Sequence, residues 1–303
     1  MNAMQRYLAE EVVIDYSDGL LSRREALRHL ALLGVGATLA VPMLAACDSG
    51  ANNTPSPSAP AQTASGETAR PAGPSPRPVA PITFAGPENR ALRGVWSAAE
   101  SPRGTVLVIH ENKGLTAHIQ SVAGRFAASG YSALALDLLS EEGGTARYTD
   151  PAEATAALNA APEGRFVADM KAAVSEILRR EPAHKPGVVG FCFGGGQVWS
   201  LLGSGEPRLA AAVPFYGPAP DSPDFSGSRS AAVLAIYAAL DARVNATRPV
   251  AEAALKKAGL THEIVTEPDA DHAFFNDTGP RYRPAAASDA YARVIRWFGQ
   301  HLN

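Results

Sequence analysis

Only two cysteines occur in this chain of 303 residues, and one of them stands in a setting suited to reaction. Val188 to Gln197 reads VVGFCFGGGQ: a short apolar run, Cys192 between two phenylalanines, then three glycines. Gly190-Phe191-Cys192-Phe193-Gly194 fits the pattern of a nucleophile flanked at two residues' distance by glycines. That pattern suits a strained strand-to-helix turn, where a Cβ two residues from the nucleophile would clash. The apolar run supplies the strand, and Gln197 to Gly203 continues a helix beyond the glycines. A helix N-terminus beneath Cys192 favours a thiolate, and the backbone N–H of Phe193 points at a developing oxyanion.

A thiol nucleophile needs a base, and the base needs a group that orients it. In this kind of site the chain order is nucleophile, acid, histidine. Asp241 ends the apolar run VLAIYAAL, as an acid just past a later strand should. His272 lies in Asp269-Ala270-Asp271-His272-Ala273-Phe274, after the last expected strand. Of the seven histidines, only His262 and His301 compete in that part of the chain; the first opens a strand and the second sits on the closing helix. Asp269 and Asp271 are rival acids, but residues so close to the histidine rarely have the geometry to orient its ring. The roles follow: Cys192 attacks a carbonyl, His272 moves the proton, and Asp241 fixes the imidazole tautomer.

The elements that must position these residues alternate along the chain. Thr105–His110, Tyr131–Leu136, Gly187–Phe191, Leu209–Tyr216, Ala232–Tyr237 and His262–Val265 read as strands, several of them apolar throughout, as strands buried on both faces are. Ala117–Gly130, Arg165–Arg180 and Ala285–His301 have helical periodicity. Alternation of this kind predicts an α/β domain, a mostly parallel sheet with helices on both faces and its chemistry at the strand C-termini. The domain is expected to span residues 82–303.

The first 81 residues read differently. Paired arginines in SRREALR (Ser22–Arg28) precede an uncharged run from Leu30 to Cys47, which is too short, with its glycines and Pro42, for a stable span. This order resembles a twin-arginine export signal. The run ends in Leu44-Ala45-Ala46-Cys47, similar to a lipobox in which the cysteine becomes a lipidated N-terminus. Residues 1–47 are thus expected to be an export signal, and Cys47 an anchor holding the protein on the extracytoplasmic face of a bacterial membrane. Residues 48–81, rich in proline, serine and alanine, read as a disordered tether. Residues 1–21 carry an apolar stripe without an evident purpose.

A net charge of -3 with 19% charged residues leaves no basic excess for nucleic acid. His110, Glu111 and His118 show no metal-ligand spacing, so neither metal nor other cofactor is expected. Rival readings are a non-catalytic binding lipoprotein and a peroxide-reactive thiol, the latter weakened by the lack of a resolving cysteine.

Together GFCFGGG, Asp241, DADHAFFN around His272 and His110-Glu111-Asn112-Lys113-Gly114 resemble the dienelactone hydrolases (carboxymethylenebutenolidases) of the α/β-hydrolase fold. The resemblance implies a hydrolase of small esters or lactones working through a thioester, and a monomer is expected. It also implies that Glu111 contacts the resting nucleophile and takes its proton when substrate arrives, and that the Asn112 N–H is the second oxyanion donor beside Phe193. Family members hold a substrate carboxylate with arginines, one shortly after the catalytic histidine. Here Asn276 stands in that stretch, and Arg281, Arg283 and Arg147 are the remaining candidates, so dienelactone itself is not the expected substrate.

Overall fold

The computed structural model describes residues 3–49, 70–162 and 164–303, with side chains left out at a few helix ends. Three helices come first: α1 (Ala3–Ser17), α2 (Arg23–Leu32) and α3 (Ala37–Ser49). The domain proper follows as β1 (Ala80–Ala85), β2 (Ala91–Ser97), β3 (Gly104–Ile109), α4 (Ala117–Ala128), β4 (Tyr131–Asp137), α5 (Pro151–Ala160), α6 (Arg165–Arg180), β5 (Pro186–Phe191) and α7 (Phe193–Gly203). It closes with β6 (Ala211–Phe215), β7 (Ala232–Ala238), α8 (Ala242–Asn245), α9 (Arg248–Ala258), β8 (His262–Glu267) and α10 (Pro284–His301).

Eight strands form one sheet in the order β1-β2-β4-β3-β5-β6-β7-β8. The six from β4 to β8 pair in parallel, and β1 and β2 add an antiparallel edge. This is the α/β-hydrolase arrangement that the sequence led us to expect. Every residue of β3, β4, β5, β6 and β7 is buried, which is why these strands read as continuous apolar runs. Helices α4 and α10 cover one face, joined by Phe126 against Tyr291 and Phe298 with ring centroids 5.6 and 5.8 Å apart. Helices α6 and α7 cover the other, with Phe166 edge-on to Phe193 at 5.6 Å.

The described part of the tether departs from expectation. Residues 70–81 are packed on the domain: Arg125 donates to the Ala72 carbonyl, the Arg77 N–H to the Gly124 carbonyl, and Tyr282 Oη to the Arg70 carbonyl. A stretch poor in apolar side chains is held here through its backbone. Residues 70–81 thus pack with the domain, whereas 50–69 and the Cys47 side chain lie outside the described residues.

The segment expected as an export signal is likewise helical and packed. Ser22 and Glu25, on either side of the paired arginines, form a reciprocal capping box that starts α2. Arg28 of α2 pairs with Asp150 at 2.5 Å. The apolar stripe of α1, with Leu8 and Ala9 fully buried, faces the domain. Among the described residues no helix is long and apolar enough to cross a membrane.

Candidate active site

The candidate residues all follow C-terminal ends of parallel strands. Cys192 lies between β5 and α7 with φ 56° and ψ -118°, a conformation that non-glycine residues hold only under constraint. The constraint is the crossing of backbones: a Cβ on Gly190 would lie 2.2 Å from the Gly194 carbonyl oxygen, and one on Gly194 would lie 2.5 Å from those of Ile109 and His110. Helix α7 begins at Phe193, so the glycines form its first turn. Residues 193 and 194 thus present N–H groups without intrahelical partners at the nucleophile.

Asp241 follows β7 and caps α8, its Oδ1 accepting from the Val244 N–H at 3.1 Å. Its Oδ2 lies 2.6 Å from His272 Nδ1, in a pair whose side chains are only 5% and 3% exposed. Burial raises the Asp241 pKa, but the bond to His272 and its charge outweigh this and hold the carboxyl below its ordinary value. His272 Nε2 therefore faces the nucleophile: a ring nitrogen of His272, Cys192 Sγ and a Glu11 oxygen all lie within 4.8 Å of one another. His262 bonds the Leu260 carbonyl and His301 packs tilted against the Trp297 ring, leaving His272 alone among the three at the site.

Two residues at the centre were missed by sequence reasoning, and both come from α1. Tyr7 Oη lies 3.3 Å from Cys192 Sγ and 3.2 Å from His272 Nε2, bridging the pair. Both Glu11 carboxylate oxygens lie 3.6 Å from Cys192 Sγ. The only sequence signal is spacing: Tyr7, Glu11 and Asp15 recur every fourth residue beside Leu8 and Val12, one face of a helix.

These contacts revise the electrostatics. The Cys192 thiol is pushed up, first by burial and then by the Glu11 carboxylate, with His272 opposing. Helix α7 does not by itself set the nucleophile's charge in this form. Burial alone would lower His272, yet the charges of Cys192 and Glu11 and the Asp241 bond raise it well above its ordinary range. Glu11 remains low despite burial because His272 and Arg243 face it. Arg243 also sits over the Tyr7 ring, 4.1 Å from its centroid, and donates to the Tyr7 carbonyl at 2.8 Å.

Glu111 occupies the loop after β3, as expected, but the carboxylate touching the thiol is Glu11. Glu111 Oε2 accepts from Asn276 Nδ2 at 2.6 Å, while its buried Oε1 has no partner. The neighbouring His110 is structural: its Nε2 accepts from the Leu138 N–H at 3.1 Å, so Nδ1 donates to the Glu111 carbonyl at 2.6 Å. Asn112 Nδ2 reaches Glu11 at 3.5 Å. Arg147 and Arg283 are exposed and bond the backbone carbonyls of Glu142 and Asp269, away from the nucleophile. Arg281 is engaged by the N-terminal segment, pairing with Asp15 of α1 and with Asp18 just after it at 2.9 and 2.5 Å. Glu11, Cys192 and His272 are close enough to share a metal ion, and two of them, Cys192 and His272, are the groups that would carry acyl transfer.

Residues 92–302 match the profile of the dienelactone hydrolase family. The chain belongs to that family. A Salmonella typhi protein named "Putative carboxymethylenebutenolidase" is 31% identical over 264 residues, covering 77% of this chain and 97% of its own. A like-named protein of Methylorubrum extorquens is 31% identical over 217 residues, covering 67% and 74%. Among solved structures, a "Putative Dienelactone Hydrolase" from Klebsiella pneumoniae superposes with a TM-score of 0.64 at 29% identity, over 74% of this chain and all of that one. For this dienelactone hydrolase family member, helices α1–α3 lie outside the matched residues, and so do Tyr7 and Glu11.

Proposed function

We propose that this protein hydrolyses a small ester or lactone through a Cys-His-Asp triad and a thioester intermediate. The observation that carries the reading is the buried 2.6 Å bond between Asp241 and His272, with the other face of the ring turned to Cys192 at a strained strand-to-helix turn. In the reaction, Cys192 passes its proton to the Glu111 carboxylate, the acceptor that the family resemblance implies, and Sγ attacks the carbonyl carbon while His272 stands as the imidazolium. The amides of Phe193 and Asn112 take the negative oxygen of the tetrahedral intermediate. His272, held by Asp241 with Nδ1 protonated, passes a proton from Nε2 to the departing alkoxide. A water molecule, deprotonated by His272 Nε2, then attacks the thioester, releasing the acid and a thiolate that takes its proton back from Glu111. Family membership supports a hydrolase with a small-molecule substrate.

The test is a panel of short aryl esters and lactones. Cys192→Ala should abolish turnover, and Asp241→Asn should lower it by about 10⁴-fold by favouring the wrong tautomer, as in serine triads. Turnover of the same substrates by the Cys192→Ala protein at the parent rate would refute the mechanism.

The export of residues 1–47 and lipidation of Cys47 belong to the same proposal, supported by the order of paired arginines, apolar run and cysteine. Fatty-acid labelling that depends on Cys47 is the expected result; unlabelled protein in the cytoplasm would refute it.

A further inference from the structure

The nucleophile is closed off. Cys192 is 2% exposed and His272 4%, and what covers them is α1. Tyr7 Oη fills the space between sulfur and imidazole, where the carbonyl carbon and leaving oxygen of a substrate must sit. Glu11 puts a carboxylate against the sulfur, where its negative charge opposes that of a thiolate. Two clefts approach from either side, of about 400 and 230 Å³, and neither is lined by Cys192 or His272. Helix α1 contributes Gln5 to the wall of the first and Glu11, Val12 and Asp15 to the second, so it divides them over the nucleophile.

The attachment of α1 suits a removable part. It joins no sheet. It is held by a buried apolar strip around Leu8 and by ion pairs of Glu11 with Arg243 and of Asp15 and Asp18 with Arg281. The family match begins at residue 92, so the shared fold and triad positions do not include it.

We propose that α1 is an intramolecular inhibitor of this site: Tyr7 and Glu11 take the place of the reacting acyl group, and the chain stays latent until residues 1–46 leave. Departure follows if the Ala46–Cys47 peptide bond is hydrolysed, water supplying hydroxyl to the new Ala46 carboxylate and a proton to the new Cys47 amine. The inhibition rests on the hydrolase reading for what is inhibited, but not for the occlusion itself.

The experiment uses the full chain with Cys47→Ser, which leaves Cys192 as the sole thiol. Cys192 alkylation by iodoacetamide and aryl-ester hydrolysis are followed in the parent and in two variants that loosen α1 by different means. Leu8→Asp puts a charge in the apolar strip, and Asp15→Lys with Asp18→Lys sets like charge against Arg281. Arg6→Ala, on the exposed face of α1, is the control. Alkylation and hydrolysis should each rise at least tenfold in both loosened variants and stay at the parent level in the control. Faster alkylation without ester turnover in any form would support the plug and count against the hydrolase reading. Unchanged alkylation in both loosened variants would overturn the plug, and so would loss in both of a turnover that the parent shows.

Discussion

The glycines around Cys192 allow a sharp test of why the motif has its form, because neighbours within one helix differ in what surrounds them. At Gly194 an added Cβ would lie 2.5 Å from two carbonyl oxygens at the end of β3. Restoring ordinary contact requires separating α7 from that strand by roughly 1 Å. Neither partner is a flexible side-chain tip, so the strain cannot be relieved by a rotamer change. Overpacking of this kind costs about 1–3 kcal/mol. For a domain of this size that lowers the Tm by about 2–12 °C. The same displacement moves the Phe193 amide relative to the loop bearing Asn112, and a misplacement of about 1 Å at reacting groups costs about 10²-fold in rate. At Gly203, on the last turn of α7, the nearest atom to an added Cβ is the Asp224 carbonyl oxygen at 4.0 Å. There Gly→Ala should gain about 0.5–1 kcal/mol through lower backbone entropy of the unfolded chain. Thermal unfolding of Gly194→Ala and Gly203→Ala, with hydrolysis measured beside it, should move the two in opposite directions. Equal melting temperatures and equal activities would refute the account of the motif as a backbone crossing.

Two further outcomes follow from groups away from the nucleophile. Asp277 accepts hydrogen bonds from buried His118 and Arg125, tying α4 to the segment after His272. Asp277→Ala leaves Arg125 buried without its counter-ion, which costs about 3–5 kcal/mol, so differential scanning should find a Tm lower by about 6–20 °C. Glu267 on β8 is pushed up to about 7, by burial first and then by Asp289. The folded state therefore keeps a proton that the unfolded chain has lost above the ordinary glutamate range, so stability falls as pH rises from there through about 7. Glu267→Gln cannot ionise. Its Tm relative to the parent should improve between pH 5 and pH 8, and a constant difference would show that Glu267 does not titrate in that window.

What the sequence made legible depends on where the determining contacts lie. Strands β3 to β7 are buried on both faces, so their apolar runs are visible without knowledge of the fold. Strands β1 and β2 are half-exposed at the edge and contain Pro81 and Gly94, so their composition resembles that of the tether before them. The triad candidates were legible because each is a strand-end residue and their order is constrained by the topology. Tyr7 and Glu11 obey no such rule. Their partners Cys192 and His272 are more than 180 residues away, and no local window connects an acid on a helix to a thiol at that separation.

The two glutamates show how a resemblance and a structure can both describe one site. The family pattern points to Glu111 as the carboxylate that meets the thiol, whereas here Glu11 makes that contact. Asn276, standing where an arginine was sought, draws Glu111 Oε2 sideways and leaves Oε1 buried without a partner. A buried, unpaired carboxylate oxygen is costly, and its persistence calls for a use. Glu111 is close enough to contribute to the upward shift of Cys192. On our reading, withdrawal of α1 removes Glu11 and leaves Glu111 as the carboxylate beside the thiol, with one oxygen free to accept its proton. The role implied for Glu111 then belongs to the open form and the Glu11 contact to the closed one. Glu111→Gln should accordingly slow hydrolysis in a loosened variant such as Leu8→Asp while leaving alkylation of the closed parent unchanged, because in the closed form α1 still covers the sulfur.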